Sequence, residues 1–388
     1  MANHQAAAQM LGYLYQVRCA LDLLLSADNE QLSICIEKFD DIAFSNDSDS
    51  PEILIQTKHH VNGHGDLTNS STDLWRTLNV WFDYVSENGL ENIKFIIITT
   101  ALAPDGSAAF FLRRDGRDDI RANEILKKTA TQSINVSNKK YYDAFLSIDT
   151  ESIQTLLQRV TVIDRNENIL DVVGNIRKSI RYSVRPEFED RVFERIEGWW
   201  FKKSIEALSA TEPTFISQRQ VRSVICDISA EYTPDNLPID TEFTDDIDID
   251  NFPQKERIFC EQLRLIAVGN NRMKLAIRDY YRAFTQRNNW IKDDLLYITE
   301  LDKYEKNLVD EWQHLFVQME DEVDSTDEKK KQEAGRDLYT SIENKDLRIR
   351  SQCSDAFVMR GSYHMLANKL KVGWHLDFVQ RLESLVSN

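Results

Sequence analysis

Residues 93–99 constrain the fold more than any other stretch of the chain. Phe95-Ile96-Ile97-Ile98 is apolar without alternation and short, the pattern of a strand covered on both faces. A chain with such a strand must supply helices for two faces, so an α/β layer is expected. Residues 7–26 supply one helix, with Leu11, Leu14, Tyr15, Leu21, Leu24 and Leu25 at spacings of three and four. Leu32, Ile34 and Ile36 alternate with Ser33, Cys35 and Glu37, which predicts a strand. Residues 41–44 read as a second short strand, the turn formers of 45–51 close a hairpin, and 53–58 read as a third strand. A polar loop with Gly63 and Gly65 leads to a helix over 71–86. That helix buries Leu74, Trp75, Leu78, Trp81, Phe82 and Val85, and Ser71 or Thr72 is its N-cap. The predicted order is helix, strand, strand, strand, helix, strand.

Beyond residue 100 the pattern turns helical. Helices are predicted over 117–131, 139–146, 151–158, 169–182 and 186–208, with a strand at 160–163 and Pro186 in a first helical turn. The acidic stretch around 235–252, with Pro234, Pro238 and Pro253, reads as a linker or long loop. Helices over 254–284, 301–320, 329–342 and 362–370 then build a C-terminal domain. The expected organisation is an α/β domain over 1–165, a helical connector with an acidic loop over 166–250, and a helical domain over 251–388.

Composition sets limits on function. With 42% hydrophobic and 29% charged residues the chain is expected to pack rather than remain disordered. Its apolar runs fall far short of the roughly 18 residues of a membrane span. The start Met1-Ala2-Asn3-His4-Gln5 lacks the features of a secretory signal, so a cytoplasmic, membrane-free protein is expected. The five cysteines are scattered without a C-x-x-C pair, which argues against a disulfide framework or a structural zinc site. The net charge of −17 weighs against a chain that grips nucleic acid with its whole surface. The charge is uneven, however: between Arg222 and Lys255 there are nine acids and no Lys or Arg, and a second acidic cluster spans 320–328. Net charge therefore says little about the field in one cleft. No Walker-type glycine loop is present, so the chain is not itself an ATPase.

The third strand carries the candidate chemistry. Gln56 and Lys58 are two apart on a strand and share a face, and Asp41 begins the neighbouring strand, so the hairpin brings the three together. Phosphodiester hydrolysis uses divalent cations to polarise phosphate and generate hydroxide. Mg²⁺, or Mn²⁺ in its place, takes oxygen ligands and keeps several waters, so Asp41 and the Gln56 amide oxygen are an adequate protein contribution. Lys58 is placed to orient the attacking water and to stabilise charge on the phosphate. Glu37 is either a further ligand or a surface acid at a strand end. Asp40 is the alternative to Asp41; strand neighbours point to opposite faces, and Asp41 is favoured. Gln16 either touches metal-bound water or lies on the helix surface. His59 and His60 read as phosphate or proton-transfer groups or as exposed loop residues.

Gly12-Tyr13-Leu14-Tyr15-Gln16, Glu37-x-x-Asp40-Asp41-Ile42 and Ile55-Gln56-Thr57-Lys58-His59-His60 resemble the nuclease domain of CBASS-associated double-stranded DNA endonucleases. That domain also occurs in the nuclease subunit of Lamassu, an ABC-three-component bacterial defence system. The resemblance covers about residues 8–165. It implies a restriction-endonuclease-like, PD-(D/E)xK, α/β domain, with Gln56 standing where the general pattern has an acid. A second resemblance lies in Trp312-Gln313-His314, Gly335-Arg336-Asp337-Leu338-Tyr339, Arg360-Gly361-Ser362-Tyr363-His364 and Val372-Gly373-Trp374-His375. These are similar to the terminal domain of ABC-three-component effectors, which work with an SMC-like ABC ATPase and a small accessory subunit. The resemblances imply a metal-dependent endonuclease effector that cuts double-stranded DNA of phage or plasmids, controlled by those partners and by homo-oligomer assembly. The alternative is an inactive nuclease-like scaffold. His364 and His375 lack a clustered ligand set and read as packing residues. Trp75, Trp81, Trp199 and Trp200 sit at helical spacing and read as core.

Overall fold

The computed structural model describes residues 5–46, 51–59, 65–90, 92–240, 258–323 and 326–386. The hairpin turn at 47–50, His60, Gly63 and the acidic stretch from 241 to 257 lie outside the described residues. The chain divides into two compact units, Met1–Ala230 and Glu231–Asn388.

The first unit opens with α1 (Gln5–Leu25), β1 (Ser33–Ile36), β2 (Ile42–Ser45), β3 (Ile53–Lys58), α2 (Thr72–Asn88) and β4 (Lys94–Thr99). It continues with α3 (Ala108–Phe111), α4 (Asp119–Gln132), α5 (Lys139–Ser147), α6 (Thr150–Leu157) and β5 (Val160–Ile163). Next come α7 (Val172–Ile180), α8 (Glu189–Ser209), β6 (Ile216–Ser217) and α9 (Gln218–Glu231). The six strands form one mixed sheet in the order β5-β4-β3-β2-β1-β6. β3, β4 and β5 run parallel, and the other pairings are antiparallel.

Strand alternation divides the core into two layers. Cys35, Ala43, Leu54, Phe95, Ile97, Val160 and Val162 pack with Leu74, Trp75, Leu78 and Trp81 of α2 and with residues of α4 to α6. The intervening Ile34, Ile36, Ile42 and Ile55 are equally buried and take the opposite face, where α1 and α8 pack on β1. Trp75 meets Tyr142 and Phe145 of α5 edge to face at 4.7 and 5.3 Å, geometry worth about 0.5–1.5 kcal/mol per pair beyond area burial.

The restriction-endonuclease-like fold class expected from the sequence is corrected here. The chain is mostly helical and carries one mixed six-stranded sheet. The local order of the first hundred residues is as expected, but sheet membership is not a local property. β6 arrives from Ile216–Ser217 to pair with Ser33 and Ile34, and β5 extends the other edge. Where a boundary was expected near residue 165, the same compact unit runs on to Ala230.

The second unit contains α10 (Ile258–Leu265), α11 (Asn270–Lys292), α12 (Ile298–Glu322), α13 (Glu328–Glu343), α14 (Ala356–Asn368) and α15 (Phe378–Val386). The single helix expected over 254–284 is broken into two, with Ala267 left-handed at φ 55° and Gly269 extended as the N-cap of α11. Glycines set the helix spacing. A Cβ on Gly335 of α13 would lie 2.3 Å from the Trp374 carbonyl oxygen, and one on Gly373 would lie 2.2 Å from the Phe378 ring. Between α11, α12 and α14 the Arg287 guanidinium pairs with Glu305 at 2.5 Å and donates to Ser362 Oγ at 3.1 Å. Burying such a pair is tolerated because both charges find partners.

His364 is fully enclosed, with Phe259 at 5.1 Å and Tyr339 at 6.0 Å between ring centroids. Burial pushes its imidazole down to about 3. The unfolded chain therefore takes the proton first, at about 6.5. The stability contributed by the neutral form is complete above that value and is lost as pH falls toward 3. Lowering the pH from 7 to 5 is expected to cost this unit about 2 kcal/mol through His364. Urea midpoints of the wild type and His364→Gln should diverge across that interval; parallel pH dependence of the two contradicts it.

Candidate active site

β1 and β2 are joined by the loop Glu37–Asp41, which the Glu37 amide closes by donating to the Asp41 carbonyl at 3.1 Å. Gln16 of α1 donates to the same carbonyl at 2.7 Å. Glu37 is left-handed, with φ 60°, a conformation costing a non-glycine residue about 1–2 kcal/mol. Such backbone concentrates where surrounding contacts over-determine it, functional sites among them.

The two adjacent acids have different duties. Asp40 accepts from Trp81 Nε1 at 2.6 Å and from the Asp41 amide at 2.9 Å, which ties the loop to α2. Burial pushes its carboxyl up to about 6; Asp41 adds to the rise, and the Trp81 hydrogen bond and the charge of Lys58 oppose it. Asp41 turns one oxygen, Oδ2, to Thr57, accepting from its amide at 2.7 Å and its hydroxyl at 3.0 Å. Asp41 is thus fixed against β3 by one oxygen, and no hydrogen bond engages its Oδ1 among the described residues.

β3 sets out the remaining groups. Gln56 follows Ile55, the register partner of Ile42, and Asp41 lies in the loop just before β2. Gln56 is buried and Lys58 half-buried, beside Thr99 at the end of β4. Glu37 lies within electrostatic range of both Asp41 and Lys58. Partial burial raises its carboxyl above the usual range; hydrogen bonding with Gln16 and the charge of Lys58 oppose the rise, and Asp41 adds to it. His59 continues β3 and stacks on Tyr15 of α1 at 4.7 Å. Tyr15 in turn donates to the Glu167 carbonyl at 3.1 Å and accepts from Asn166 at 2.9 Å.

The structure therefore brings together Glu37, Asp41, Lys58 and Gln16, assigns Asp40 an anchoring role, and seats His59 against Tyr15. Thr57 and Trp81 hold the two acids without being chemical candidates in the sequence. Strand alternation sends the Thr57 side chain away from Gln56 and Lys58, and Trp81 carried only a core pattern, so neither gave a chemical signal.

A divalent cation of the Mg²⁺ type needs few protein ligands, because waters and substrate phosphates complete its shell. Asp41 Oδ1 and the Glu37 carboxylate fit that requirement: both are oxygens, and their mutual repulsion is relieved by a cation. The Gln56 amide oxygen is of suitable chemistry, but no contact joins it to either among the described residues. Among the described residues, the convergent group of His, Cys, Asp and Glu ligand atoms lies elsewhere, at Glu328, His375 and Asp377. There Lys331 binds Asp377 at 2.8 Å, and Arg381 binds Glu328 at 2.7 Å and Asp377 at 3.0 Å. Two cations already neutralise those carboxylates, and burial lowers the His375 imidazole. This is an ion-pair network that holds α13 to α15.

Comparisons with known proteins bear on the two units unequally. No curated protein matches the sequence. Among solved structures, the chain is similar to the Acinetobacter baumannii Cap4 SAVED/CARF-domain containing receptor at 15% identity and TM-score 0.34, covering 72% of this chain and 61% of that one. The same receptor with the cyclic trinucleotide 2′3′3′-cAAA matches at 15% identity and TM-score 0.34, covering 71% and 58%. The chain thus spans less than two thirds of these proteins. They are described as SAVED/CARF-domain receptors. A TM-score this low supports no inference about function.

The C-terminal match is of another kind. Many of the residues that carried the sequence resemblance there are core: Trp312, Tyr339, Tyr363, His364, Trp374 and His375 are all buried, and Trp312 Nε1 donates to the Gly373 carbonyl at 2.8 Å. They define a packing pattern. Residues 259–382 match the family model of C-terminal domain 7 of the ABC-three component (ABC-3C) systems, and this match supports membership of such a defence system.

Proposed function

We propose that the chain is the effector of an ABC-3C defence system, and that its first unit hydrolyses phosphodiester bonds of double-stranded DNA with Mg²⁺ or Mn²⁺. The observation that carries this reading is the loop Glu37–Asp41, closed on the Asp41 carbonyl by the Glu37 amide and by Gln16, with the Asp41 carboxylate fixed to Thr57 next to Lys58 at the end of β3. A bound divalent cation supplies polarisation of the phosphate and a hydroxide at neutral pH. The chain supplies the rest. Asp41 and Glu37 offer anionic oxygens, and Gln56 a neutral one. Thr57 holds Asp41 in one orientation through two hydrogen bonds. Lys58 places a positive charge where negative charge builds on the phosphate and orients the attacking water. The second unit is proposed to bind an SMC-like ABC ATPase and a small accessory subunit, and homo-oligomer assembly is proposed to set two such sites on one duplex.

The engagement of Asp41 Oδ2 by Thr57 favours a second reading, an inactive binding subunit of the same kind of complex. Calorimetric titration with Mn²⁺ separates the two. Asp41→Asn should weaken Mn²⁺ binding by at least about tenfold. Asp40→Asn should leave it largely intact, because an amide oxygen still accepts from Trp81. Absence of Mn²⁺ binding by the wild type, or equal losses in both variants, refutes the assignment.

A further inference from the structure

A cavity of about 1030 Å³ opens at the β4–β5 edge of the first unit, lined by Lys94, Ile96, Arg113, Arg114, Arg117, Arg159, Thr161 and Asp164 among others. Its floor is the sheet. Ile96 and Thr161 are register partners, Lys94 and Ile96 alternate away from the Phe95 and Ile97 core, and Ile163 is 42% exposed. One wall is the segment after α3, where Arg113 bridges to Val162.

The electrostatics of this cavity oppose those of the molecule. It holds five basic and two acidic side chains, a local excess of positive charge in a chain of net −17. Several of the cations are occupied in shaping it. Arg117 donates to the carbonyls of Leu157 at 2.6 Å and Val160 at 2.7 Å, tying the end of α6 to β5. Arg159 reaches the Ile93 carbonyl at 3.5 Å. Arg113 lies over the Phe110 ring at 3.9 Å and 3.7 Å from Asp164. Lys94 and Arg114 differ: both are exposed, and neither side chain has an ion-pair partner among the described residues. Fixed arginines thus frame two free cations over an open stretch of sheet, an arrangement that attracts a polyanion by contact without requiring base readout.

We propose that this cleft holds the phosphodiester backbone of duplex DNA, a grip separate from the carboxylate cluster. The proposal rests on the reading of the first unit as a DNA-cutting unit. Lys94 opens β4 and Lys58 pairs with Thr99 at its other end, and strand alternation puts the two lysines on opposite faces of the sheet, so the cleft is a site apart from the carboxylate cluster. The local positive field also accounts for how a chain of −17 can approach DNA at all.

The test is fluorescence anisotropy of a labelled duplex with the full chain in EDTA, so that cleavage plays no part. Lys94→Glu with Arg114→Glu should lower affinity by about tenfold or more at moderate salt, and should make the dependence of log affinity on log salt shallower by about two. A control pair on exposed lysines elsewhere, Lys202→Glu with Lys306→Glu, should change affinity much less. Unchanged affinity in the cleft pair, an equal loss in the control pair, or no duplex binding by the wild type overturns the proposal. So does binding of single-stranded RNA in place of duplex. A chain that binds duplex through the cleft yet cuts no plasmid with any metal sinks the nuclease reading and leaves the cleft standing.

Discussion

Replacing Lys58 by Ala is expected to lower plasmid cleavage by about 10²–10³-fold while leaving melting temperature and duplex binding nearly unchanged. Lys58 is half-buried at the last position of β3, where its backbone carbonyl accepts from Thr100 at 3.1 Å. Truncation to Ala keeps that bond and removes the ammonium group alone. Glu37 and Asp40 both lose an opposing charge in the variant, so their carboxyls should move further up. Lys58→Arg keeps a charge but changes its geometry and should restore little activity. Gel analysis of plasmid forms, with circular dichroism as the folding control, checks this. Cleavage at the wild-type rate by a well-folded Lys58→Ala protein removes Lys58 from the chemistry.

Gly361→Ala is expected to produce the largest structural effect of a single methyl group. Gly361 sits inside α14 where the helix crosses α11, and a Cβ there would lie 2.2 Å from the Asp279 carbonyl oxygen and 2.4 Å from the Ala283 methyl. The obstacle is backbone, so no rotamer change relieves it. The helices must separate, at a cost of about 1–3 kcal/mol or more, although Ala favours the helix by roughly 1 kcal/mol. The separation also reaches the Arg287–Glu305 pair through its neighbour Ser362. The variant should melt several degrees lower in the second unit and, on the proposed function, lose binding to the proposed ATPase and accessory subunits. An unchanged thermal profile contradicts the close helix approach.

What the sequence disclosed follows the range of each interaction. Gln56 and Lys58 were legible because alternation on one strand is a local property, and β3 has the expected limits Ile53–Lys58. Strand alternation favours Asp41 over Asp40. Both residues lie in the loop before β2, where that rule does not hold; their different roles come instead from Trp81 and Thr57. β6 has two residues, too few for any periodic signal, and its partner β1 lies far back in the chain. α9 did carry a readable stripe, Val221, Ile225 and Ile228. In the second unit the resembling motifs were visible, but their role as close-contact glycines and buried rings requires the packed helices. The basic cleft was hidden because its members come from β4, the segment after α3, and the turn into β5, while composition reports only the strongly negative total.

The most direct test is incubation of supercoiled plasmid with the full chain, alone and with its partner subunits, in Mg²⁺, in Mn²⁺ and in EDTA. Nicked and linear plasmid should appear with either metal, none should appear in EDTA, and Asp41→Asn and Lys58→Ala should both abolish the products. Plasmid that stays supercoiled in every metal condition, with and without the partners, contradicts a metal-dependent nuclease built on Asp41, Gln56 and Lys58.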